Sequence, residues 1–327
     1  MSAARPRVGY HASHEQFAPG ELLRYVRLAE AAGFASGMCS DHFHPWSERE
    51  GQSGFAWSWL GAALQATSLP FGVVTVPGGW RYSPAILAQA AATLAEMFPG
   101  RFWIAPGSGE WLNEHVTGGK WPPKEVRNRR LREGVDIIRA LWAGETVTHD
   151  GLVTVEEAKL YTRPKEPPLI VGAALSEETA EWMGGWADGL ITVVGEREGM
   201  RKIVDAFRRG GGEGKPLYLQ AQLSFAKTDE AALEGAWDQW RSVMFPSPVL
   251  ADLEMPALFD AAGEHVRRED VKEKMRISSD PERHLEWLRG DVELGFTEIN
   301  LHCVHRGEQE RFIEVFGERV LPELMRG

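Results

Sequence analysis

Short apolar runs alternate with longer amphipathic stretches along almost the whole chain. Val8–Ala12, Phe34–Cys39, Phe71–Val76, Arg101–Ala105, Leu169–Ala173, Gly189–Val194, Leu217–Phe225 and Ile299–His302 are near-continuous in apolar character and bounded by Gly, Pro, Ser or charged residues. Runs of that length and composition read as strands buried on both faces. Between them, apolar residues recur at helical spacing: Leu22, Leu23, Val26, Ala29 and Ala32 within Pro19–Ala32, and Leu131, Val135, Ile138 and Leu141 within Glu125–Trp142. Further helices are predicted over Trp57–Ala66, Pro84–Met97, Glu177–Trp186, Arg197–Arg208 and Gln309–Leu324. Two more begin at Thr228 and at Asp280-Pro281, where an N-cap side chain can bond a free backbone N–H. Strict strand–helix alternation with about eight strands predicts one α/β domain over 1–327, a (β/α)8 TIM barrel. Two stretches break the rhythm. Residues 144–166 alternate around His149-Asp150-Gly151, a hairpin signal, and residues 244–276 are irregular and dense in charge. Both read as excursions that lid the carboxyl face of the barrel.

Composition narrows the class without naming a reaction. Hydrophobic residues make up 43% and charged residues 25% of 327 positions, an ordinary globular balance. The net charge of −11 disfavours a nucleic-acid or anionic-membrane partner, which calls for a basic face, and leaves a small-molecule substrate. The two cysteines, Cys39 and Cys303, have no metal-type or disulfide-framework spacing, which fits a cytoplasmic setting. The first residues lack a signal-peptide core, and no apolar run approaches membrane-spanning length.

In a parallel barrel the chemistry gathers at the carboxyl ends of the strands. Four segments fall there: His11–Glu15, Asp41–Trp46, Val74–Pro77 and Gly107–Glu114. His42 and Glu110 suit an acid–base pair, because imidazole titrates near neutrality and a buried carboxyl can be raised toward it. A hydrogen-bonded buried histidine and a helix-starting acid explain the same residues equally well. His42 and His44 alternate as metal ligands would, but no third ligand has metal-type spacing, so no metal is expected. Gly107-Ser108-Gly109 is neither a Walker loop nor a dinucleotide fingerprint; a tight strand-to-helix turn is the commoner meaning. Ala174-Leu175-Ser176 could offer free N–H groups and a hydroxyl to a phosphate, or Ser176 could simply cap the helix that follows.

Taken together, Gly9–Phe17, the Asp-His-Phe-x-Pro-Trp segment Ser40–Trp46, Trp80–Pro84, and Gly109–Glu114 with Thr117-Gly118 resemble the bacterial luciferase-like superfamily. The similarity runs nearly end to end and is strongest to its coenzyme F420 (deazaflavin) dependent glucose-6-phosphate dehydrogenases. The resemblance implies an oxidoreductase with a flat flavin-type ring at the barrel mouth. It implies His42 as the base toward a substrate hydroxyl, Glu110 as an acid toward the ring, Trp46 as a substrate contact and Glu15 on the substrate side. Cofactor contacts would come from Asp41, Val74, Thr75, Gly109, Asn113, Ala174 and Ser176, with a cis peptide at Val74–Thr75. Departures from that branch fall where the sugar phosphate is held: Val193, Glu196 and Glu273 stand in place of Thr and Lys, so glucose 6-phosphate is not the expected substrate. Altered cofactor contacts, Ala174-Leu175 near the tail and Pro77 after the cis peptide, lean the expectation toward FMN over F420. Two alternatives stand beside this one: a strictly F420-dependent alcohol or hemiacetal dehydrogenase, and a flavin-binding protein without turnover. A homodimer, with a separate flavin or F420 reductase as a further partner, completes what the resemblance implies.

Overall fold

The computed structural model describes residues 6–326. Its strands are β1 (Arg7–His11), β2 (Ser36–Ser40), β3 (Phe71–Thr75), β4 (Phe102–Pro106), β5 (Val147–Asp150), β6 (Thr154–Ala158), β7 (Leu169–Ala173), β8 (Gly189–Val193), β9 (Leu217–Ser224), β10 (Arg276–Ile277) and β11 (Glu298–Cys303). Eight of them pair in parallel in the order β1-β2-β3-β4-β7-β8-β9-β11, and β11 returns to β1, closing a barrel. Helices separate consecutive barrel strands, as the alternating pattern predicts, with strand ends displaced by one or two residues. Among the described residues, no helix is long and apolar enough to cross a membrane.

Large side chains fill the barrel because glycines make room for them. Met38, Trp103, Ala105, Val171, Ile191 and Tyr218 form the interior layer, with Val74 and Ala173 packed above it. A Cβ at Gly72 would lie 2.0 Å from the Trp103 indole, so only glycine lets that ring lie flat across β3. The larger apolar core lies between the sheet and the helical layer, as in other closed α/β barrels.

The two excursions differ in what they cover. The 144–166 excursion is the expected hairpin, but it does not lid the mouth. It packs along helices Pro84–Met97 and Lys124–Ala143, where Glu133 accepts the N–H groups of Leu152 and Val153 and pairs with His149 at 3.0 Å. The 244–276 excursion is not irregular: it holds the short helices Ser247–Asp252, Pro256–Gly263 and Arg268–Lys274. Prolines at the starts of the first two sit where a helix tolerates a missing N–H, so they open helices rather than break them. This excursion does cover the mouth. Trp111 and Trp121 donate indole N–H bonds to Glu254 and Asp252, and Arg49 pairs with Asp260 at 2.6 Å.

Candidate active site

The carboxyl end of β2 is tied to its neighbours by buried charge. Asp41 donates its N–H to the carbonyl of Val74 on β3. Its carboxylate accepts from Trp57 Nε1 (3.2 Å), Thr75 Oγ1 (3.1 Å) and Tyr82 Oη (3.1 Å), and faces Arg81 Nη1 at 3.6 Å. Arg81 also donates to the Asp41 carbonyl (2.7 Å) and to Glu114 Oε1 (2.9 Å). Asp41, Arg81 and Glu114 are all nearly inaccessible, so the triad stands where partners are needed to hold charge out of water. Burial lifts the Glu114 carboxyl while Arg81 opposes the rise. Asn113 Oδ1 accepts the N–H groups of Phe43 (2.8 Å) and His44 (3.2 Å), fastening the β2 loop to the β4 loop. Asp41, Thr75 and Asn113 thus position the loops that carry the mouth. The described residues contain no cis peptide bond, so the expected one at Val74–Thr75 is trans. Both residues stay in parallel register with Ala105 and Pro106 of β4, which extended trans geometry satisfies.

Above this frame His42 lies between two carboxylates. Its Nδ1 is 2.6 Å from Glu15 Oε1, and its Nε2 is 3.8 Å from Glu110 Oε2. Trp46 meets the ring edge-on at 5.2 Å. Glu15 comes from the β1 loop, where Ser13 Oγ donates to its other oxygen at 2.9 Å. Burial works against an imidazolium here, but the charge and hydrogen bond of Glu15, then the charge of Glu110, outweigh it and raise His42 to about 9. Burial likewise penalises the Glu15 carboxylate, and His42 reverses the balance, holding Glu15 well below the usual carboxylate range. Burial lifts Glu110 although His42 pulls the other way; a third of its side chain remains open to the mouth. At neutral pH this balance favours a proton on His42.

Two further residues, both buried, back Trp46, and neither stood out in the sequence. Glu50 lies in the loop between β2 and the helix Ala56–Ala66, yet it is buried and accepts the Trp46 N–H at 2.7 Å. Phe259, from the covering excursion, packs against Trp46 at 5.4 Å. Arg81 was visible only as part of a longer matching segment. An arginine within reach of two acids that must be buried is the signal that could have marked it.

The remaining predicted residues separate into a seat and a side. Gly109 has φ +88°, and a Cβ there would lie 3.2 Å from Val76 and Trp121, so the turn presenting Glu110 requires glycine. Val74, Val76 and Gly107–Glu110 form a half-buried stretch between the ends of β3 and β4, above the apolar interior. That surface fits one face of a flat ring. Ala174 is buried behind β7, and Ser176 caps helix Glu177–Gly184, its hydroxyl also bonding Thr179 Oγ1 at 3.0 Å. Lys124 Nζ reaches Thr179 Oγ1 at 3.1 Å. A hydroxyl pair with an ammonium suits an anionic cofactor tail, and Lys124 enters only through the fold. Val193 ends β8 half-exposed, Glu196 caps helix Arg197–Phe207, and Glu273 is exposed on helix Arg268–Lys274. His44 turns to the Leu112 carbonyl (2.9 Å) and stacks on His115 at 5.4 Å. Among the described residues, no three His, Cys, Asp or Glu side chains converge as a metal site would require.

Comparison with known proteins agrees with this architecture. The chain is 35% identical over 328 residues to the F420-dependent glucose-6-phosphate dehydrogenase of Beutenbergia cavernae, covering 97% of each, and 35% identical to that of Kribbella flavida, covering 97% of this chain and 98% of the other. It superposes on an F420-dependent secondary alcohol dehydrogenase in complex with an F420–acetone adduct with a TM-score of 0.89, at 30% identity, covering 98% and 99% of the two chains. The FMN complex of a type II Baeyer–Villiger monooxygenase component from Pseudomonas putida shares the fold at 15% identity, with a TM-score of 0.73 and coverage of 98% and 99%. These three relatives, each at 30% identity or more, are F420-dependent enzymes, and the leaning toward FMN drawn from Ala174-Leu175 and Pro77 finds no support in them. The pattern of the luciferase-like monooxygenase family matches residues 1–298, and the chain belongs to that family.

Proposed function

We propose that the protein is an F420-dependent oxidoreductase interconverting a small uncharged alcohol and its carbonyl partner, with His42 as the proton-transfer group. One observation carries the reading: the His42 imidazole is held between Glu15 and Glu110 under the edge of Trp46, at the mouth of the barrel. The similarity to F420-dependent enzymes over nearly the whole chain supports the cofactor. When bound, the deazaflavin supplies hydride chemistry and none with oxygen. Val74, Val76 and the Gly107–Glu110 turn would seat its ring, and Ser176, Thr179 and Lys124 its anionic tail.

The chain's own residues then divide the work. Trp46, backed by the buried Phe259, encloses the reacting end of the substrate and excludes water from it. Glu15 fixes the orientation of His42 through Nδ1, leaving Nε2 for the substrate oxygen and Glu110. In carbonyl reduction the imidazolium gives its Nε2 proton to the forming alkoxide; in alcohol oxidation neutral His42 takes it. Because His42 rests protonated, reduction starts from the resting form, and oxidation quickens as the pH rises toward about 9. Glu15 and Glu110 already flank His42 at the mouth, and the guanidinium nearby, Arg81, is engaged with Asp41 and Glu114. An additional anionic group is poorly served there, which favours alcohols without phosphate.

Fluorescence titration of cofactor-free protein with F420 and with FMN tests the cofactor. Anaerobic bleaching of F420 by simple alcohols, unphosphorylated sugars and glucose 6-phosphate tests the substrate class. Binding of F420 with turnover of neutral alcohols is the expected result. FMN binding with oxygen consumption would replace the reading with a monooxygenase, faster turnover of glucose 6-phosphate would overturn the substrate class, and binding without any turnover would leave a carrier.

A further inference from the structure

Glu50 plays no part in the chemistry described above, yet it is a third carboxyl close to His42. It is 1% exposed. One oxygen, Oε2, accepts the Trp46 N–H at 2.7 Å; the other, Oε1, is buried with no partner. Its own N–H returns to Ser47, so the tight turn from Trp46 to Glu50 closes on itself. The indole of Trp46 then projects between His42 (5.2 Å) and Phe259 (5.4 Å). Just past the turn, the Gln52 N–H bonds the carbonyl of Glu15.

We infer that Glu50 is a positioning residue for this site: as a neutral carboxylic acid it clamps the main chain of Trp46, and hence its indole, against His42, and on ionising it releases that clamp. A buried carboxylate served only by main-chain N–H groups of its own turn, with one oxygen unpartnered and a second carboxylate nearby, lacks the partners it needs. A neutral acid in the same place still accepts the Trp46 N–H and carries its proton on the unpartnered oxygen. The charged or titratable groups on the elements packed against the turn are Glu15 and His14 from the β1 loop, and His42 and Arg49 from its own loop. Glu48 belongs to the same turn, Asp260 from the covering excursion pairs with Arg49, Asp238 from helix Asp229–Trp240 accepts from Arg49 through its carbonyl, and Arg306 donates to the Arg49 carbonyl. Burial, then the charge of Glu15, holds the Glu50 carboxyl up to about 8, against the Trp46 N–H bond and His42.

The inference rests on His42 as the proton-transfer group, so its test reads the backbone as well as turnover. Hydrogen exchange of the Trp46 amide is followed from about pH 6 to 10, corrected for intrinsic exchange, in wild type, Glu50→Gln and Glu50→Ala. Wild-type protection should fall above about pH 8, by about tenfold per pH unit if opening follows loss of one proton. Glu50→Gln, which keeps an acceptor but cannot ionise, should hold protection constant, and Glu50→Ala should lose it at every pH. In the oxidation direction, where neutral His42 is the active form, a fall in kcat/KM above about pH 8 should be seen in wild type and be absent in Glu50→Gln. A wild-type pH dependence retained by Glu50→Gln, or full protection in Glu50→Ala, would overturn the inference. The exchange pattern without turnover would leave the inference standing and defeat the functional reading instead.

Discussion

Glu15→Gln isolates the charge that keeps His42 protonated. The amide keeps the volume and an acceptor for His42 Nδ1 but removes the negative charge 2.6 Å away. His42 stands at about 9 against an ordinary 6.5, a difference of about 3 kcal/mol between its two protonation states. Burial alone would drive it the other way, and Glu110 is farther off at 3.8 Å and partly solvated. In the variant the titration should therefore fall by at least about 2 units, to the ordinary imidazole value or below. Histidine-selective NMR across pH measures it, with a His42→Asn sample assigning the resonance among the ten histidines. If the reaction is alcohol oxidation, the rising limb of the kcat/KM profile should move down by the same interval. The sign for stability follows. A raised His42 contributes stability that is complete below about pH 6.5 and is lost as pH rises through about 9. Glu15, held low, contributes above the usual carboxylate range and loses its contribution as pH falls below it. A His42 midpoint that stays within one unit of its wild-type value in Glu15→Gln would refute the account of this pair.

Two other substitutions probe the frame. Asp41→Ala removes the acceptor shared by Trp57, Thr75 and Tyr82 and strips Arg81 of one partner. Denaturant unfolding should show a loss of about 3–5 kcal/mol, and adding Arg81→Met should cost less than the sum of the two changes. Gly109→Ala forces a side chain into a left-handed turn and against Val76 and Trp121. It should cost about 1–2 kcal/mol and lower turnover further by displacing Glu110, read from unfolding midpoints beside kcat at saturating substrate.

The barrel was legible because its strands, buried on both faces, leave near-continuous apolar runs that no other common arrangement repeats so regularly. His42, Glu110, Trp46 and Glu15 stood at strand ends, and the fold does bring them together. What escaped were interactions made across the chain. Glu50 looks like loop polarity until the turn buries it, and Arg81 becomes meaningful only when Asp41 and Glu114 close around it. Lys124 meets Thr179 only because the fold brings the start of its helix there. The 244–276 helices were hidden by their brevity, because each is shorter than the windows over which amphipathic period becomes visible.

The Asp41–Arg81–Glu114 triad has a consequence for how relatives and redesigned variants are to be judged. Three elements distant in the chain meet in a charge balance that tolerates change only as a set, because removing any one member strands another in a dry setting. Persistence of an aspartate at position 41 therefore signals an intact scaffold rather than a particular cofactor. Phe259, which backs Trp46 from the covering excursion, stands outside that balance, so a change there is felt as packing against Trp46 and leaves the charges of the frame paired.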